Sequence, residues 1–241
     1  MEIRRFFVDN SNVSESAVRI DGAEFLHLKN VLRLKEGYTI VVSAGDGVDR
    51  YCTIDKIAKD YAQASIISKA ENRTETKNAL VLFFGLLKGG KTDFVIQKAA
   101  ELGIRKVVPF VSKFCSEKSA NLDRLKKIAL EASKQCGRAA VTEVGQPIAF
   151  SEIFEQDYIK DFKTLVMPYE LESKRSISEV EFWGDTALII GSEGGFSEEE
   201  ASLAQSRGFT LVSLGRRILR AETAAVVAAS AALLKLGELD S

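Results

Sequence analysis

Ala187-Leu188-Ile189-Ile190-Gly191-Ser192-Glu193-Gly194-Gly195-Phe196-Ser197-Glu198-Glu199-Glu200 reads as a buried strand, a glycine turn and the start of a helix. Three glycines in five positions let the backbone take positive φ and approach a ligand closely. Ser197 predicts an N-cap that Glu200 closes as a capping box, and the acidic first turn suits the helix dipole. A second unit of the same kind follows. Residues 209–214 read as a strand, Gly215-Arg216-Arg217-Ile218-Leu219-Arg220-Ala221-Glu222-Thr223 as a turn, and 224–235 as an alanine-rich helix. The glycines could serve tight turns alone. Glycine turns at strand ends are also where open α/β sheets bind ligands, and here two occur on successive strands, the second rich in arginine. Between Ala187 and Leu236 neither G-x-x-x-x-G-K-[ST] nor G-x-G-x-x-G occurs, so neither a phosphate loop nor a dinucleotide site of the usual kind is indicated in this stretch.

Working outward, the pattern from Ala79 alternates strands and helices, which predicts an α/β domain with a parallel sheet. Strands are expected at 80–84, 107–111, 164–167, 187–190 and 209–214, and helices at 92–102 and 121–137. Phe94, Val95, Ala99 and Leu102 form the expected apolar face of the first helix. Leu122, Leu125, Ala129, Ala132 and Cys136 do so on the second. Residues 1–70 read as β-rich, with strands at 4–8, 38–43, 51–57 and 62–68 and a hairpin signal at Gly45-Asp46-Gly47. A helix is expected over 24–34, with Phe25, Leu28, Val31 and Leu32 on one face. The polar run 71–78 has no apolar periodicity and reads as a linker, giving domains 1–72 and 73–241.

Bulk properties exclude several classes. At 241 residues, 46% hydrophobic and 28% charged, the chain fits a globular protein with one good core or two modest ones. A net charge of -1 gives no overall basic field, so nucleic-acid binding would rest on local clusters. No apolar run approaches the ~20 residues that span a bilayer. Three widely spaced cysteines and a single histidine argue against a metal site and fit a reducing cytoplasm.

The two motifs 190–197 and 214–224 resemble those of the RsmE family, SPOUT-class methyltransferases acting on N3 of a uridine in small-subunit ribosomal RNA. Gln97-Lys98-Ala99-Ala100-Glu101-Leu102-Gly103 and Glu131-Ala132-Ser133-Lys134-Gln135-Cys136-Gly137-Arg138 are similar to further signatures of that family. Ser192 and Thr142 depart from it, each standing where the family tends to have proline.

The resemblance implies an α/β fold: a knotted SPOUT-type C-terminal domain with a parallel sheet, and an N-terminal PUA-like β-barrel. It implies S-adenosylmethionine as cofactor, held by Val166, Met167, Pro168, Gly191, Glu193, Gly194, Gly195, Leu214, Gly215, Ile218, Leu219 and Ala224. Arg220 and Glu222, with Glu193 third, are the candidate catalytic residues. A carboxylate could take the N3 proton, and a guanidinium could offset charge on the uracil oxygens. The competing reading makes Arg220 and Glu222 a structural ion pair. Arg4, Arg5, His27, Arg33, Lys35, Lys88 and Arg138 are candidate RNA contacts. The implied partners are 16S ribosomal RNA or the small ribosomal subunit, and a second copy of the chain through the C-terminal domain. No membrane partner or metal is expected, and the location is cytoplasmic.

Two rivals stand beside this reading. One is a non-catalytic RNA-binding protein of the same fold. The other is an α/β enzyme using Arg216, Arg217 and Arg220 as a clamp for a small acidic metabolite.

Overall fold

The computed structural model describes residues 3–239. The chain divides into two compact units: Met1–Glu75 with Ser133–Val141, and Thr76–Ala132 with Thr142–Ser241. The return of Ser133–Val141 to the first unit is a feature that the linear pattern did not announce.

The first unit is built on β1 (Arg4–Phe7), β2 (Ala17–Asp21), β3 (Thr39–Ser43), β4 (Val48–Ile57) and β5 (Tyr61–Glu71). Its sheet runs in the order β1-β3-β4-β5-β2, with β1 parallel to β3 and the other pairs antiparallel. β2 was not foreseen, although Val18 and Ile20 alternate inward in period two and are buried. Phe6, Val18, Ile20, Phe25, Leu28, Ile40 and Ile54 belong to one core. The helix expected over 24–34 is instead α1 (Gly22–Leu26) followed by a π-helical turn, His27–Val31. There the Leu32 N–H donates to the His27 carbonyl at 3.0 Å, five residues back. The wider turn shifts the phase, so Phe25 and Leu28 stay buried while Val31 turns out to 66% exposure.

The second unit carries β6 (Leu80–Gly85), α2 (Lys91–Glu101), β7 (Lys106–Val111), α3 (Leu122–Gln135, whose last three residues fall in the first unit), β8 (Glu143–Val144) and β9 (Ile148–Ala149). It continues with β10 (Thr164–Pro168), β11 (Thr186–Ile190), α4 (Glu198–Ser206), β12 (Thr210–Val212) and α5 (Ala221–Lys235). The sheet is parallel throughout, in the order β12-β10-β11-β6-β7-β8 with β9 also on β7. Strands β6 and β11 are buried at every residue, as parallel strands covered on both faces require. Helix α2 buries Thr92, Val95, Ile96, Ala99 and Ala100. This i, i+3, i+4, i+7, i+8 arc displaces the expected face and leaves Phe94 40% exposed. α5 packs on α2 and β11, and its buried Ala221, Ala225, Ala228, Ala229 and Ala232 let those elements come close. The alanines thus have a role in this chain's own core.

Candidate functional site

Three neighbouring strands, β12, β10 and β11, end on the same side of the sheet because they are parallel. Their following loops, at 168–170, 190–196 and 213–220, line one cleft of about 730 Å³. This is the position at which open α/β sheets bind ligands, outside the carboxyl ends of the strands. Pro168, Gly191, Glu193, Gly194, Gly195, Leu214, Gly215, Ile218, Leu219 and Ala224 all lie on its wall, as does Arg220. Val166 and Met167 do not. Both are fully buried within β10, and Met167 belongs to the core beneath the cleft.

The glycine turn is built as its residues suggest. A Cβ at Gly194 would meet the Phe114 Cβ at 2.6 Å, and one at Gly85, at the end of β6, would meet the Ser192 N at 2.6 Å. Gly195 has φ of +67°, and a Cβ there would run into the Glu170 carboxyl, 2.9 Å from its Cδ. Ser197 then caps α4: the Glu200 N–H donates to Ser197 Oγ at 3.3 Å, and the Ser197 N–H donates to Glu200 Oε2 at 3.0 Å. The second turn is open. Gly215 has φ of +109°, and Ile218 is 92% exposed.

The candidate catalytic groups differ in their freedom. Arg220 is the N-cap residue of α5, with extended backbone and an exposed side chain. No ion pair joins it to Glu222 among the described residues, so the structural pairing weighed above is absent. Glu222 does not line the cleft, but its Oε2 is buried without a hydrogen-bond partner. Glu193 is committed. It accepts from Lys91 Nζ at 2.9 Å and from the Lys88 N–H at 3.1 Å. Burial pushes its carboxyl up, but the hydrogen bonds from Lys91 and from backbone N–H groups outweigh this and hold it below the usual range. A carboxylate so stabilised is a poor proton acceptor and a good anchor for the turn.

Two candidate RNA contacts are structural. Arg5 forms a bidentate pair with Asp49 at 2.5 and 2.7 Å, and their side chains are 13% and 10% exposed. Arg138 is 3% exposed and pairs with Glu75 at 2.6 Å. Both side chains are turned into the first unit. Arg4, Arg33, Lys35 and Lys88 are exposed, and His27 is half-buried with its ring edge-on to Phe6 at 6.5 Å. Arg33 has φ of +51°, an uncommon backbone state for a residue with a side chain.

Sequence reasoning did not single out Lys91, Tyr169, Glu170 or Phe196, which also line the cleft. Tyr169 and Glu170 directly follow the end of β10, and that adjacency was the available signal. At the two departures, Ser192 lines the cleft with a buried, partnerless Oγ. Thr142 is buried and its Oγ1 donates to the Ile104 carbonyl at 2.8 Å, which ties down that loop.

The cleft is built from segments that a family of known proteins shares. An RNA methyltransferase domain model matches residues 74–233, and an RNA methyltransferase PUA domain model matches 20–67. A ribosomal RNA small subunit methyltransferase E of Mesomycoplasma hyopneumoniae is 32% identical over 92% of this chain and 95% of its own length. The protein of the same name from Bacillus subtilis is 30% identical over 95% of each. The chain belongs to the ribosomal RNA small subunit methyltransferase E family. Among solved structures, a member from Neisseria gonorrhoeae bound to S-adenosyl methionine superposes with a TM-score of 0.87 at 28% identity, over 98% of each chain. A Legionella pneumophila putative methyltransferase, also in complex with its bound cofactor, gives 0.87 at 28% identity over 97% of this chain and 98% of its own. Membership in this family and these neighbours fit the parallel α/β fold with an N-terminal PUA domain; they do not favour the metabolite enzyme. Among the described residues no helix is long and apolar enough to cross a membrane.

Proposed function

We propose that this protein is an S-adenosylmethionine-dependent methyltransferase of small-subunit ribosomal RNA, acting on uridine N3. The observation that carries the reading is the cleft at the ends of β10, β11 and β12 in a chain of this family. The residues present fit the cofactor. Leu214, Ile218 and Leu219 offer apolar surface for an adenine, and the glycine turns bring backbone donors and acceptors to the same wall. Ser192 Oγ lacks a protein partner there. When bound, the cofactor supplies an electrophilic methyl group on a sulfonium.

The chain's own residues hold the acceptor and manage its charge. Arg220 stands free on the cleft wall, where its guanidinium can face an oxygen of the uracil ring and stabilise the negative charge that grows as N3 loses its proton. Glu222, two residues on, is the proposed proton acceptor: one of its carboxylate oxygens is buried without a partner, and the side chain would have to turn from its position off the cleft wall to reach the base. The first unit would hold the RNA through Arg4, Arg33 and Lys35, with Lys88 contributing from the second. The functional domains are 1–72 and 73–241, and the second is knotted as in the SPOUT class. The enzyme works in the cytoplasm as a homodimer through α5, where Val227 and Leu234 leave apolar surface exposed.

The test is nucleoside mass spectrometry of small ribosomal subunits and free 16S RNA incubated with the protein and methyl-labelled cofactor. Labelled 3-methyluridine is expected. Label on another base, or none with cofactor bound, would sink the assignment.

A further inference from the structure

We propose that Glu170 reads the α-ammonium of the cofactor's amino-acid part; this deepens the proposed function and rests on it. Glu170 lines the cleft and is exposed, with no hydrogen bond or ion pair among the described residues. It is the only glutamate or aspartate among the described residues on that wall besides Glu193, whose carboxylate is held by Lys91 and Lys88. Glu222 is off the wall. The position of Glu170 is set by the missing side chain at Gly195: only a glycine, at φ of +67°, lets the Glu170 carboxyl lie against the backbone of the turn. The Glu170 carboxyl thus lies against the glycine turn on the cleft wall, where a ligand's ammonium can reach it.

The charge pattern points the same way. Lys91 is paired with Glu193, so Arg216, Arg217 and Arg220 bring positive charge to the rest of the cleft, and the ammonium of a ligand there needs a carboxylate to offset them. Arg216 and Arg217 suit the cofactor's own carboxylate, and Glu170 suits its ammonium, so a zwitterion is read at both ends by charge-assisted hydrogen bonds.

Calorimetry on the full chain tests this with two thioethers. S-adenosylhomocysteine carries the amino-acid part, and 5′-methylthioadenosine lacks it. The wild type should bind both, the first more tightly. Glu170→Gln should weaken S-adenosylhomocysteine by about 10-fold or more, the scale of one charge-assisted hydrogen bond, and leave methylthioadenosine unchanged. Equal weakening of both would mean that the substitution distorts the turn, and no weakening of either would mean that Glu170 touches neither; both outcomes overturn the inference alone. A wild type that binds neither compound overturns the proposed function with it.

Discussion

Arg220 begins α5 with extended backbone and leaves its guanidinium without a partner among the described residues, so its removal should cost the fold little. Arg220→Ala should lower single-turnover methylation by roughly 10²–10³-fold, the scale of losing one preorganised donor, with cofactor affinity and melting temperature nearly unchanged. A variant that melts early but methylates at the wild-type rate would assign Arg220 to the scaffold. Glu222 presents the opposite balance. Its Oε2 is buried and unpaired, a situation that costs stability until a partner arrives. Glu222→Gln should therefore melt at or above the wild-type temperature while turnover falls by about 10²–10⁴-fold, as for a lost general base. Normal turnover with raised stability would remove Glu222 from the chemistry. Arg5 is a structural residue that its sequence position disguised. Its partner Asp49 lies far along the chain, and no spacing rule links them. Burial raises the Asp49 carboxyl, but hydrogen bonds from Arg5, Ser43 and Asn72 more than offset this and hold it below the ordinary 3.8. Because the folded value is depressed, the pair stabilises the protein above the unfolded carboxylate range and that contribution is lost as pH falls through the folded value. Arg5→Ala should destabilise the first unit by about 3 kcal/mol near neutral pH, the cost of leaving a buried charge unpaired. The gap to wild type should narrow below about pH 4, measured by denaturant melts across pH. A gap independent of pH would deny the role of Asp49.

At the scale of elements, the glycine turn and the helix after it were the most legible parts. Ser197 and Glu200 close the capping box that their spacing predicts, because a cap is local chemistry settled within four residues. Strands of the second unit were legible for a related reason: full burial on both faces writes an unbroken apolar run such as Leu80 to Phe84. What failed depended on distant partners. Arg138 has a basic side chain beside a family motif, but Glu75 meets it from 63 positions away. Val31 was misplaced because a π turn breaks the 3.6-residue phase on which the expectation relied. Gly195 tests how much of the cleft's chemistry resides in backbone. Gly195→Ala adds a Cβ at φ of +67°, a strain of about 1–2 kcal/mol, and displaces the Glu170 carboxyl as well. Gly215→Ala imposes strain at φ of +109° with no neighbour within 4 Å. Cofactor affinity by calorimetry should therefore fall further for Gly195→Ala than for Gly215→Ala. Equal losses would show that strain alone matters and that Glu170 does not.

For the whole molecule, a net charge of -1 gives no general attraction to RNA, so affinity must come from a few placed cations. Burial of Arg5 and Arg138 shortens that set, and Arg33 and Lys35 remain exposed in the first unit. Arg33 also carries a backbone cost, since φ of +51° suits glycine better than any residue with a Cβ. A strained residue kept at an exposed position is a reason to look for function there. Arg33→Gly separates the two contributions. It relieves the strain and removes the charge, so it should raise the melting temperature slightly while weakening RNA binding. The slope of log affinity against log salt should flatten by about 0.7–0.9, because one phosphate is no longer neutralised. Lys35→Ala should flatten the slope by the same amount without raising stability. Cofactor affinity should not change in either variant, because no residue of this loop lines the cleft. A gain in stability with the salt slope intact would place Arg33 outside the RNA interface. A loss of stability would mean that its side chain, and not its backbone, holds the loop.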